Sequence, residues 1–433
     1  MNESSKIFIN KNILIYGLGK SGLSSFNFLN KRNKVFLFDD NKKINLRKIY
    51  KKNLILKSQI RKYKFDIIVI SPGINIKNCK LNKFLKKNFQ IIYTDLDIFY
   101  SFYNNDCITI TGTNGKSTTC QLLYQVLKSQ KYHVKLAGNI GYPILSLKDV
   151  KKETILVIEA SSYQLEYSKL FKSKYAAILN ICPDHLERHK TMKNYISAKF
   201  KLIKNQNKNS IAFINKYDKY SQNKILRSGY KSKIIKVNTK LKKKVIDLFH
   251  NEYFLSASNN ENLSFVIELA KRFNIKKKNL INTVKNFKGL NYRQQIIFKN
   301  KNILIINDSK STSYSSSVEM LKRKNNIYWL LGGIPKKGDI FNLPQNYYKN
   351  IRGFIFGSNQ KKYLTDLKKK IYLKKFSNLR KALSELVSDI KKDHSLKKTI
   401  LFSPAGASFD SFENFEDRGE YFNKLINRFI NVV

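Results

Sequence analysis

The chain has 433 residues, of which 83 are Lys or Arg and 30 are Asp or Glu, so its formal net charge is +53. Its hydrophobic content of 42% and aromatic content of 13% exclude a disordered chain, and its length predicts about three domains. Because no apolar run reaches the roughly 20 residues that span a bilayer and the first residues lack a secretory signal, we expect a cytoplasmic protein.

The positive charge does not by itself identify a partner. The lysines lie along the whole chain, interleaved with Asn and Ile, and form no single stripe. A compositional bias therefore explains the charge better than nucleic-acid binding, although a nucleic-acid-binding NTPase remains an alternative. The four cysteines include no C-x-x-C pair, which argues against a zinc cluster or a disulfide framework.

Short apolar strands alternate with helical stretches in three successive blocks, a pattern typical of βαβ units with parallel sheets. We predict an α/β protein of three domains, each built on a mostly parallel sheet. The predicted domains are a Rossmann-like N-terminal domain (1–98), a P-loop ATPase-like central domain (99–299) and a Rossmann-like C-terminal domain (300–433). Polar residues recur where strands end, and ligands of open α/β sheets bind outside those ends. We therefore expect the three domains to face a shared cleft.

The first block opens with a glycine-rich turn between a strand and a helix. Its segment "GLGKSG" places Gly17, Gly19 and Gly22 in a G-x-G-x-x-G pattern, and Asp39 ends the next strand. The pattern fits a dinucleotide such as NAD, and a nicotinamide oxidoreductase remains an alternative. It fits another diphosphate equally well, and we favour a UDP-sugar because a second nucleotide loop follows.

That second loop, "TGTNGKST", runs from residue 111 to residue 118 between a strand and a helix. A glycine-rich turn at a helix N-terminus presents backbone N–H groups to phosphates. Lys116 adds a point charge, and Ser117 adds a hydroxyl for Mg²⁺. The loop lacks the upstream glycine of the commonest P-loop, which marks a different subclass. The alternative to a phosphate-binding loop is a tight strand-to-helix turn with a surface lysine and no ligand.

Three further residues follow this loop in the second block. Glu159 ends a buried apolar strand, where a carboxylate is costly unless it is paired or bound to a metal, although it could also cap the next helix. His185 follows the strand "AAILN", whereas His189 is expected at the surface. No pattern in the sequence around Lys199 distinguishes it from the other lysines.

The third block repeats the pattern of polar residues after strands. "NDSKSTS" brings an acid, a lysine and hydroxyls together, and "GGIPKKGD" is a glycine turn with Lys336 and Asp339. "SPAGASFDSFENFEDRG" combines small residues, which let backbone approach a ligand, with Ser408 and Phe415. Each segment alone is compatible with an ordinary loop.

Taken together, these segments resemble the Mur ligase family, ATP-dependent amide-bond synthetases of peptidoglycan assembly. The resemblance covers nearly the whole chain, and "TGTNGKST" is a pattern of the wider superfamily. "EASSYQLE", "INDSKSTS" and above all "SPAGASFDSFENFEDRG" resemble the branch that adds D-glutamate to UDP-N-acetylmuramoyl-L-alanine. A member that adds another amino acid remains the nearest alternative.

The resemblance implies a role for each matching position. It implies catalytic roles for Lys116, His185 and Lys199. It implies ATP contacts at Gly112, Thr113, Asn114, Gly115, Lys116, Ser117, Thr118, Asn259, Arg293 and Asp308. It implies UDP-sugar contacts at Gly19, Lys20, Ser21, Asp39, Ser71 and Asn139. It implies D-glutamate contacts at His185, Lys310, Thr312, Lys336, Ser408 and Phe415.

The resemblance also implies cofactors and a conformational change. Two Mg²⁺ ions are implied, with ligands Ser117, Glu159, His185 and Lys199, the last after CO₂ converts its amine to a carbamate. The third domain is expected to close onto the second, and the enzyme is expected to act as a monomer without nucleic acid or membrane. The chain departs from the family pattern at Ser258, where His is common, and at Ser313, where Asn is common.

Overall fold

The chain folds into two compact units, residues 1–287 and 288–433. The structure, a computed structural model, describes residues 3–41, 47–227, 229–323, 325–336, 338–395 and 397–429. The first unit carries two parallel sheets and the second carries one mostly parallel sheet. The predicted α/β class with three sheets is therefore confirmed. The domain boundaries after residues 98 and 299 stay predictions.

The first sheet has four parallel strands in the order β2-β1-β3-β4. Its strands are β1 (Asn12–Tyr16), β2 (Lys34–Phe38), β3 (Ile67–Ile70) and β4 (Ile92–Tyr93). The helices of this region are α1 (Lys20–Leu29), α2 (Lys48–Lys51), α3 (Lys57–Ile60), α4 (Asn82–Lys87) and α5 (Asp95–Phe102). The strands read as continuous apolar runs because helices cover both faces of a parallel sheet.

The second sheet has six parallel strands in the order β10-β9-β8-β5-β7-β6. They are β5 (Cys107–Thr111), β6 (Val134–Gly138), β7 (Ile155–Glu159), β8 (Tyr175–Ile178), β9 (Ile211–Asn215) and β10 (Lys233–Val237). The helices here are α6 (Lys116–Ser129), α7 (Ser162–Tyr167), α8 (Leu186–His189), α9 (Met192–Lys204), α10 (Lys219–Leu226), α11 (Lys243–Asp247), α12 (Ala257–Ala270) and α13 (Lys277–Lys285). The central β5 lies between β7 and β8, so its loop is flanked by their carboxyl ends.

The third sheet has the order β11-β12-β16-β13-β14-β15, in which only the edge pair β11–β12 is antiparallel. Its strands are β11 (Gln295–Lys299), β12 (Ile303–Asn307), β13 (Ile327–Gly332), β14 (Ile351–Phe356), β15 (Tyr372–Phe376) and β16 (Lys398–Phe402). The helices are α14 (Tyr314–Arg323), α15 (Gln360–Leu367), α16 (Leu379–Lys392) and α17 (Phe415–Asn427). The strands β12, β16 and β13 are neighbours, so the segments that follow them share one edge of the sheet.

The helices are short. The longest helices among the described residues are α6, α12 and α16, each of 14 residues. Short 3-10 helices also occur, at Glu3–Phe8, Phe89–Ile91, Ile144–Ser146, Glu252–Leu255 and Gln345–Asn350. Within the described residues, no helix has both the length and the apolar character needed to cross a membrane.

A buried carboxylate in the first unit links α5 to the segment that follows α7. Asp97, on α5, is fully buried. Its Oδ1 accepts hydrogen bonds from the Ser168 hydroxyl and from the backbone N–H groups of residues 169–171, at 2.8 to 3.1 Å. Its Oδ2 accepts the Thr94 N–H at 3.0 Å. Because a buried charge is stable only when it is well paired, Asp97 holds α5 firmly against the segment that follows α7.

Candidate active site

The loop between β5 and α6 is held by the chain segment that follows β8. The Thr113 N–H donates to the Asn180 carbonyl at 2.9 Å, and the Asn114 N–H donates to Asn180 Oδ1 at 2.8 Å. The backbone N–H groups of these two predicted ATP contacts therefore already donate hydrogen bonds within the protein. The first amides of α6, at residues 115–118, have no partner within the helix and point to its N-terminus. A phosphate is therefore expected at the start of α6 rather than along the earlier part of the loop.

Gly115 lies in this loop in a left-handed conformation, with φ of 82°. A Cβ at this position would lie 2.0 Å from Asn262 Oδ1. The Asn262 side chain cannot easily move, because Oδ1 accepts the Thr119 hydroxyl at 3.2 Å and Nδ2 donates to Asn259 Oδ1 at 3.3 Å. Only glycine fits this turn without strain.

A Gly115→Ala variant is expected to unfold more easily and to bind ATP more weakly. Strain and the clash with Asn262 should lower the free energy of unfolding of the first unit by about 2–3 kcal/mol. Urea unfolding and calorimetric ATP titration measure the two effects. Gly229→Ala is the control, because a Cβ there has no atom within 4 Å. Equal urea midpoints for the two variants would contradict the assigned strain.

Two lysine side chains converge on one carbonyl of the loop. Lys116 Nζ donates to the Gly112 carbonyl at 2.9 Å and to the Thr113 carbonyl at 2.8 Å. Lys199 Nζ, from α9, donates to the same Gly112 carbonyl at 2.8 Å. The loop thus holds two lysine amines, distant in sequence, at the position where phosphate charge is expected.

Lys199 is the more buried of the two lysines, with 1% of its surface exposed. Burial lowers the pKa of Lys199 well below its usual value, and the charge of Lys116 lowers it further. Asp184 and Glu159 oppose this shift by favouring the charged amine. The Tyr195 ring lies 4.7 Å from Lys199 Nζ, and the Tyr195 hydroxyl is 3.0 Å from the Thr113 hydroxyl. Lys199 is therefore a buried amine, fixed beside the loop and biased towards its neutral form.

Glu159 ends β7 as predicted and is 1% exposed. Its Oε1 accepts a hydrogen bond from Asn139 Nδ2 at 2.8 Å, whereas its buried Oε2 has no hydrogen-bond partner. The Asn139 N–H also donates to the Glu159 carbonyl at 2.9 Å. A buried carboxylate oxygen without a donor fits a cation, and Mg²⁺ prefers such oxygen ligands. The residues present therefore fit a magnesium ion at Glu159.

Mg²⁺ at this position would take few ligands from the protein. Within the described residues, no group of three or more His, Cys, Asp and Glu side chains is arranged to hold a metal ion. This agrees with the usual behaviour of Mg²⁺ in nucleotide sites, where one or two carboxylates combine with water and phosphate oxygens. Ser117, the hydroxyl predicted to bind Mg²⁺, is the second residue of α6 and is 2% exposed.

His185 precedes α8 in a left-handed conformation, with φ of 53°. Its Nδ1 lies 2.9 Å from the Tyr163 hydroxyl, and its Nε2 lies 3.3 Å from Asp184 Oδ2. The expectation that His189 lies at the surface is wrong. His189 is 2% exposed, and its Nε2 is 3.0 Å from the Ser162 hydroxyl. The single turn of α8 packs inward, so His189, its last residue, links α8 to α7.

The first glycine loop is shaped by two residues that were predicted to touch the UDP-sugar. Asp39 accepts the Leu18 N–H at 2.6 Å, and it also accepts the Asn41 N–H at 2.8 Å. The Ser71 hydroxyl donates to the Gly17 carbonyl at 2.6 Å. Both side chains therefore support the loop backbone. The other predicted contacts, Gly19, Lys20 and Ser21, form the open start of α1.

Asn259 lies on α12 and is 5% exposed. Its Nδ2 donates to the Tyr253 carbonyl at 2.9 Å, and its Oδ1 accepts from Asn262 at 3.3 Å. Asn262 in turn lies against Gly115, in the loop between β5 and α6. The structure therefore places Asn259 behind the loop, with both ends of its amide engaged by protein groups.

In the second unit, Asp308 follows β12 and is 6% exposed. Burial raises the pKa of Asp308 to about 7. Its Oδ1 accepts the Gln294 N–H and its Oδ2 accepts the Ser403 hydroxyl, each at 3.1 Å. Asp308 thus ties the segment after β12 to the segment after β16.

Two of the predicted residues lie next to the aromatic ring of a third in the second unit. Lys310 Nζ lies 4.2 Å from the centroid of the Phe415 ring, and the Arg293 guanidinium lies 5.9 Å from it. The Lys310 N–H donates to the Tyr292 carbonyl at 3.0 Å. This cluster presents two cations next to an aromatic face, which suits an anionic ligand.

The remaining predicted residues of this unit lie on neighbouring loops. Ser408 is 2% exposed, and Thr312 and Lys336 are half-buried. The Ile334 N–H donates to the Ala407 carbonyl at 2.8 Å, so the turn with Lys336 lies against the segment with Ser408. Asp339 accepts the Tyr314 N–H at 2.6 Å, which closes the same turn onto α14.

Sequence reasoning did not assign a role to the buried Arg418 of "FEDRG". Arg418 is fully buried and donates to the Ser309 hydroxyl at 3.1 Å, to the Ser309 carbonyl at 2.7 Å and to the Gly406 carbonyl at 2.9 Å. It holds together two segments that carry predicted D-glutamate contacts. The local sequence gave no signal for this role, because Gly406 lies 12 residues and Ser309 lies 109 residues before Arg418.

Comparisons with known proteins agree with this architecture. Residues 11–93 match the family model of the Mur ligase MurD-like N-terminal domain, and residues 110–281 match that of the Mur ligase middle domain. A UDP-N-acetylmuramoylalanine–D-glutamate ligase of Rickettsia felis is 35% identical over 99% of this chain and 98% of its own length. The ligase of the same name from Buchnera aphidicola is 35% identical over 96% of this chain and 98% of its own length.

Solved structures show the same fold at much lower identity. The crystal structure of MurF ligase from Thermotoga maritima in complex with ADP covers 99% of this chain and 100% of its own, with a TM-score of 0.58 and 13% identity. The structure of UDP-N-acetylmuramate–alanine ligase MurC, also from Thermotoga maritima, covers 98% of this chain and 100% of its own, with a TM-score of 0.55 and 17% identity. These likenesses concern the fold.

Proposed function

The chain belongs to the Mur ligase family, and we propose on this premise that it joins D-glutamate to UDP-N-acetylmuramoyl-L-alanine at the expense of ATP. The observation that carries the proposal is the full-length similarity, at 35% identity, to ligases named for that reaction. The reaction belongs to peptidoglycan precursor synthesis. The geometry of the ATP loop and of its neighbours supports the chemistry.

A carboxylate does not accept an amine directly, because oxide is too poor a leaving group. In the first step, a carboxylate oxygen of the alanyl substrate attacks the γ-phosphorus of ATP, and ADP leaves with the electron pair of the broken bond. The products are an acyl phosphate and ADP. Lys116 and the amides that open α6 would orient the phosphates and stabilise the charge spread over them.

In the second step, the amine of D-glutamate attacks the acyl carbon, and phosphate leaves from a tetrahedral intermediate. The amine loses a proton as the amide bond forms. By family resemblance, Lys310, Thr312, Lys336, Ser408 and Phe415 would surround D-glutamate, and Arg293 and Asp308 would contact ATP. The cationic cluster at Phe415 supports this, because D-glutamate carries two carboxylates.

We further propose that Lys199 carries a carbamate. A neutral amine is the form that attacks CO₂, and burial beside Lys116 favours that form of Lys199. The neutral nitrogen bonds to the carbon of CO₂ and releases one proton, so an uncharged amine becomes an anion with two oxygens. Such a group would suit a second Mg²⁺, which a plain ammonium does not.

The two proposed Mg²⁺ ions would be held by Ser117 and Glu159, and by His185 and the Lys199 carbamate. When bound, Mg²⁺ neutralises phosphate charge and favours phosphoryl transfer. The unpartnered Oε2 of Glu159 supports the first position. Asn139 holds Glu159 in place through its other oxygen, and it would in turn lie near the acyl end of the substrate.

The cellular setting follows from the proposed reaction. We place the enzyme in the cytoplasm, as a monomer that acts on small molecules and needs neither nucleic acid nor a membrane. The UDP portion would bind at the start of α1, near Gly19, Lys20 and Ser21. Through peptidoglycan synthesis the reaction would contribute to cell shape and division.

The decisive measurement is phosphate release with ATP, UDP-N-acetylmuramoyl-L-alanine and a panel of amino acids. We expect release to require D-glutamate, with L-glutamate and other amino acids at least about 100-fold slower, because a wrong configuration at Cα or a wrong side chain leaves polar groups of the site unpaired. Release that depends equally on another amino acid would assign the chain to a different reaction. Release stimulated by RNA or DNA, without the UDP substrate, would favour the NTPase alternative.

A further inference from the structure

A tyrosine that no motif singled out contacts the imidazole of His185. Tyr163 is the second residue of α7, four positions after Glu159. Its hydroxyl lies 2.9 Å from His185 Nδ1 and 3.4 Å from Glu187 Oε1. The two rings also pack, with centroids 4.9 Å apart. Tyr163 therefore fixes both the position of the His185 ring and the surroundings of one ring nitrogen.

The Tyr163 hydroxyl has one proton and two neighbours that could accept it. As a phenol, the Tyr163 hydroxyl keeps its proton at neutral pH. Glu187, as a carboxylate, accepts only. When Tyr163 donates to His185 Nδ1, the histidine proton must be on Nε2. When Tyr163 donates to Glu187, its oxygen is free to accept a proton carried by Nδ1.

The other ring nitrogen distinguishes these two arrangements. His185 Nε2 lies 3.3 Å from Asp184 Oδ2. A proton on Nε2 satisfies that contact in the free protein. If Nε2 instead carries a lone pair, it and the carboxylate both face the same region, which suits a cation. A histidine that binds a metal through one nitrogen commonly donates its other N–H to a fixed acceptor, and the Tyr163–Glu187 pair provides one.

We propose that Tyr163 is a positioning residue that sets the tautomer of His185 by exchanging hydrogen-bond partners between His185 Nδ1 and Glu187. In the free protein Tyr163 donates to Nδ1, and Nε2 holds the proton against Asp184. When a cation occupies the region beside Nε2, Tyr163 turns its proton to Glu187 and accepts from Nδ1. The second half of this proposal rests on the proposed function, in which His185 serves a Mg²⁺ ion, whereas the first half does not.

The first test is nitrogen NMR of the full chain labelled with ¹⁵N-histidine, recorded without ligands. The chain has five histidines, and the His185→Gln variant identifies the signals of His185. We expect the Nε2–H tautomer in the wild type and a loss of this preference in Tyr163→Phe, which removes one oxygen and keeps the ring. Unchanged His185 signals in Tyr163→Phe would overturn the proposal.

The second test adds Mg²⁺, a non-hydrolysable ATP analogue and UDP-N-acetylmuramoyl-L-alanine to the same labelled protein. We expect the His185 proton to move to Nδ1 in the wild type. In turnover, Tyr163→Phe should raise the Mg²⁺ concentration for half-maximal rate about tenfold, a typical effect of losing the partner of a metal-bound histidine, with the KM for ATP changed by less than about twofold. An unchanged Mg²⁺ requirement would overturn the proposed link to the metal.

Tyr167→Phe is the matched control, because Tyr167 lies on the same helix and its hydroxyl makes no hydrogen bond in the structure. It should leave both the His185 signals and the Mg²⁺ requirement unchanged, and an equal response in both variants would overturn a specific role of Tyr163. The two proposals fail in different ways. Ligation that does not depend on D-glutamate contradicts the proposed function, while the ligand-free spectra still test the tautomer.

Discussion

Lys199→Ala is expected to reduce kcat by about 100- to 1000-fold, the usual cost of removing a group that stabilises charge in the transition state. Lys199 is almost fully buried and donates to the Gly112 carbonyl of the ATP loop. Alanine removes the amine that CO₂ would modify, and with it the anionic ligand proposed for the second Mg²⁺. Steady-state phosphate release with all three substrates measures the loss.

The control for this variant is Lys193→Ala, which removes an exposed lysine from the same helix. Its rate should stay within about twofold of the wild type, since a surface lysine of this kind makes no contact with the loop. A short carboxylic acid such as acetate should restore part of the activity of Lys199→Ala, because it supplies an anionic oxygen pair to the vacated space. A Lys199→Ala enzyme with full activity would exclude the carbamate role.

Lys116→Ala is expected to lower kcat by about 1000-fold, with a smaller rise in the KM for ATP. Lys116 Nζ lies on the Gly112 and Thr113 carbonyls, beside the first amides of α6. Phosphoryl transfer relies on positioning and on neutralising charge, so loss of this cation should act mainly on the transition state. ADP formation in the presence of UDP-N-acetylmuramoyl-L-alanine reports this step separately from amide formation.

Lys128→Ala provides the comparison, because Lys128 is an exposed residue in the last turn of the same helix. Its ADP formation should match that of the wild type. If Lys116→Ala also formed ADP at the normal rate, the assignment of the loop to the γ-phosphate would be wrong. Because Lys116 also lowers the pKa of Lys199, we expect Lys116→Ala to need more CO₂ for full carbamylation of Lys199.

The sequence predicted the parts of this site that follow a local rule. Glu159 and His185 were found because polar residues after buried strands lie at one edge of a parallel sheet. The loop before α6 was found because strand, glycines and helix follow one another directly. No such rule identifies Lys199, since the sequence around a lysine in the middle of a helix does not show whether that lysine is exposed or buried. Only the family resemblance selected it.

Residues that support the site through distant contacts escaped prediction. Asn180 and Tyr195 contact the loop between β5 and α6, and Asn262 contacts the first turn of α6, yet each lies more than 60 residues from its partner there. His189 was misplaced because its helix has a single turn, too short for its pattern to show which side faces inward. Such contacts depend on the packing of whole elements, and hydrophobic periodicity does not specify them.

The distance in sequence between the glycine loop and the residues that support it affects when the loop can form during translation. The amide of Asn114 depends on an oxygen 66 residues further along the chain, and the support that Asn262 gives to Thr119 comes 143 residues later. At a synthesis rate of about 5–20 residues per second, the glycine loop leaves the ribosome many seconds before these residues do. The nascent chain therefore lacks a finished nucleotide site until most of the central sheet has been translated. Truncated chains that end before Asn180 should consequently show no affinity for ATP.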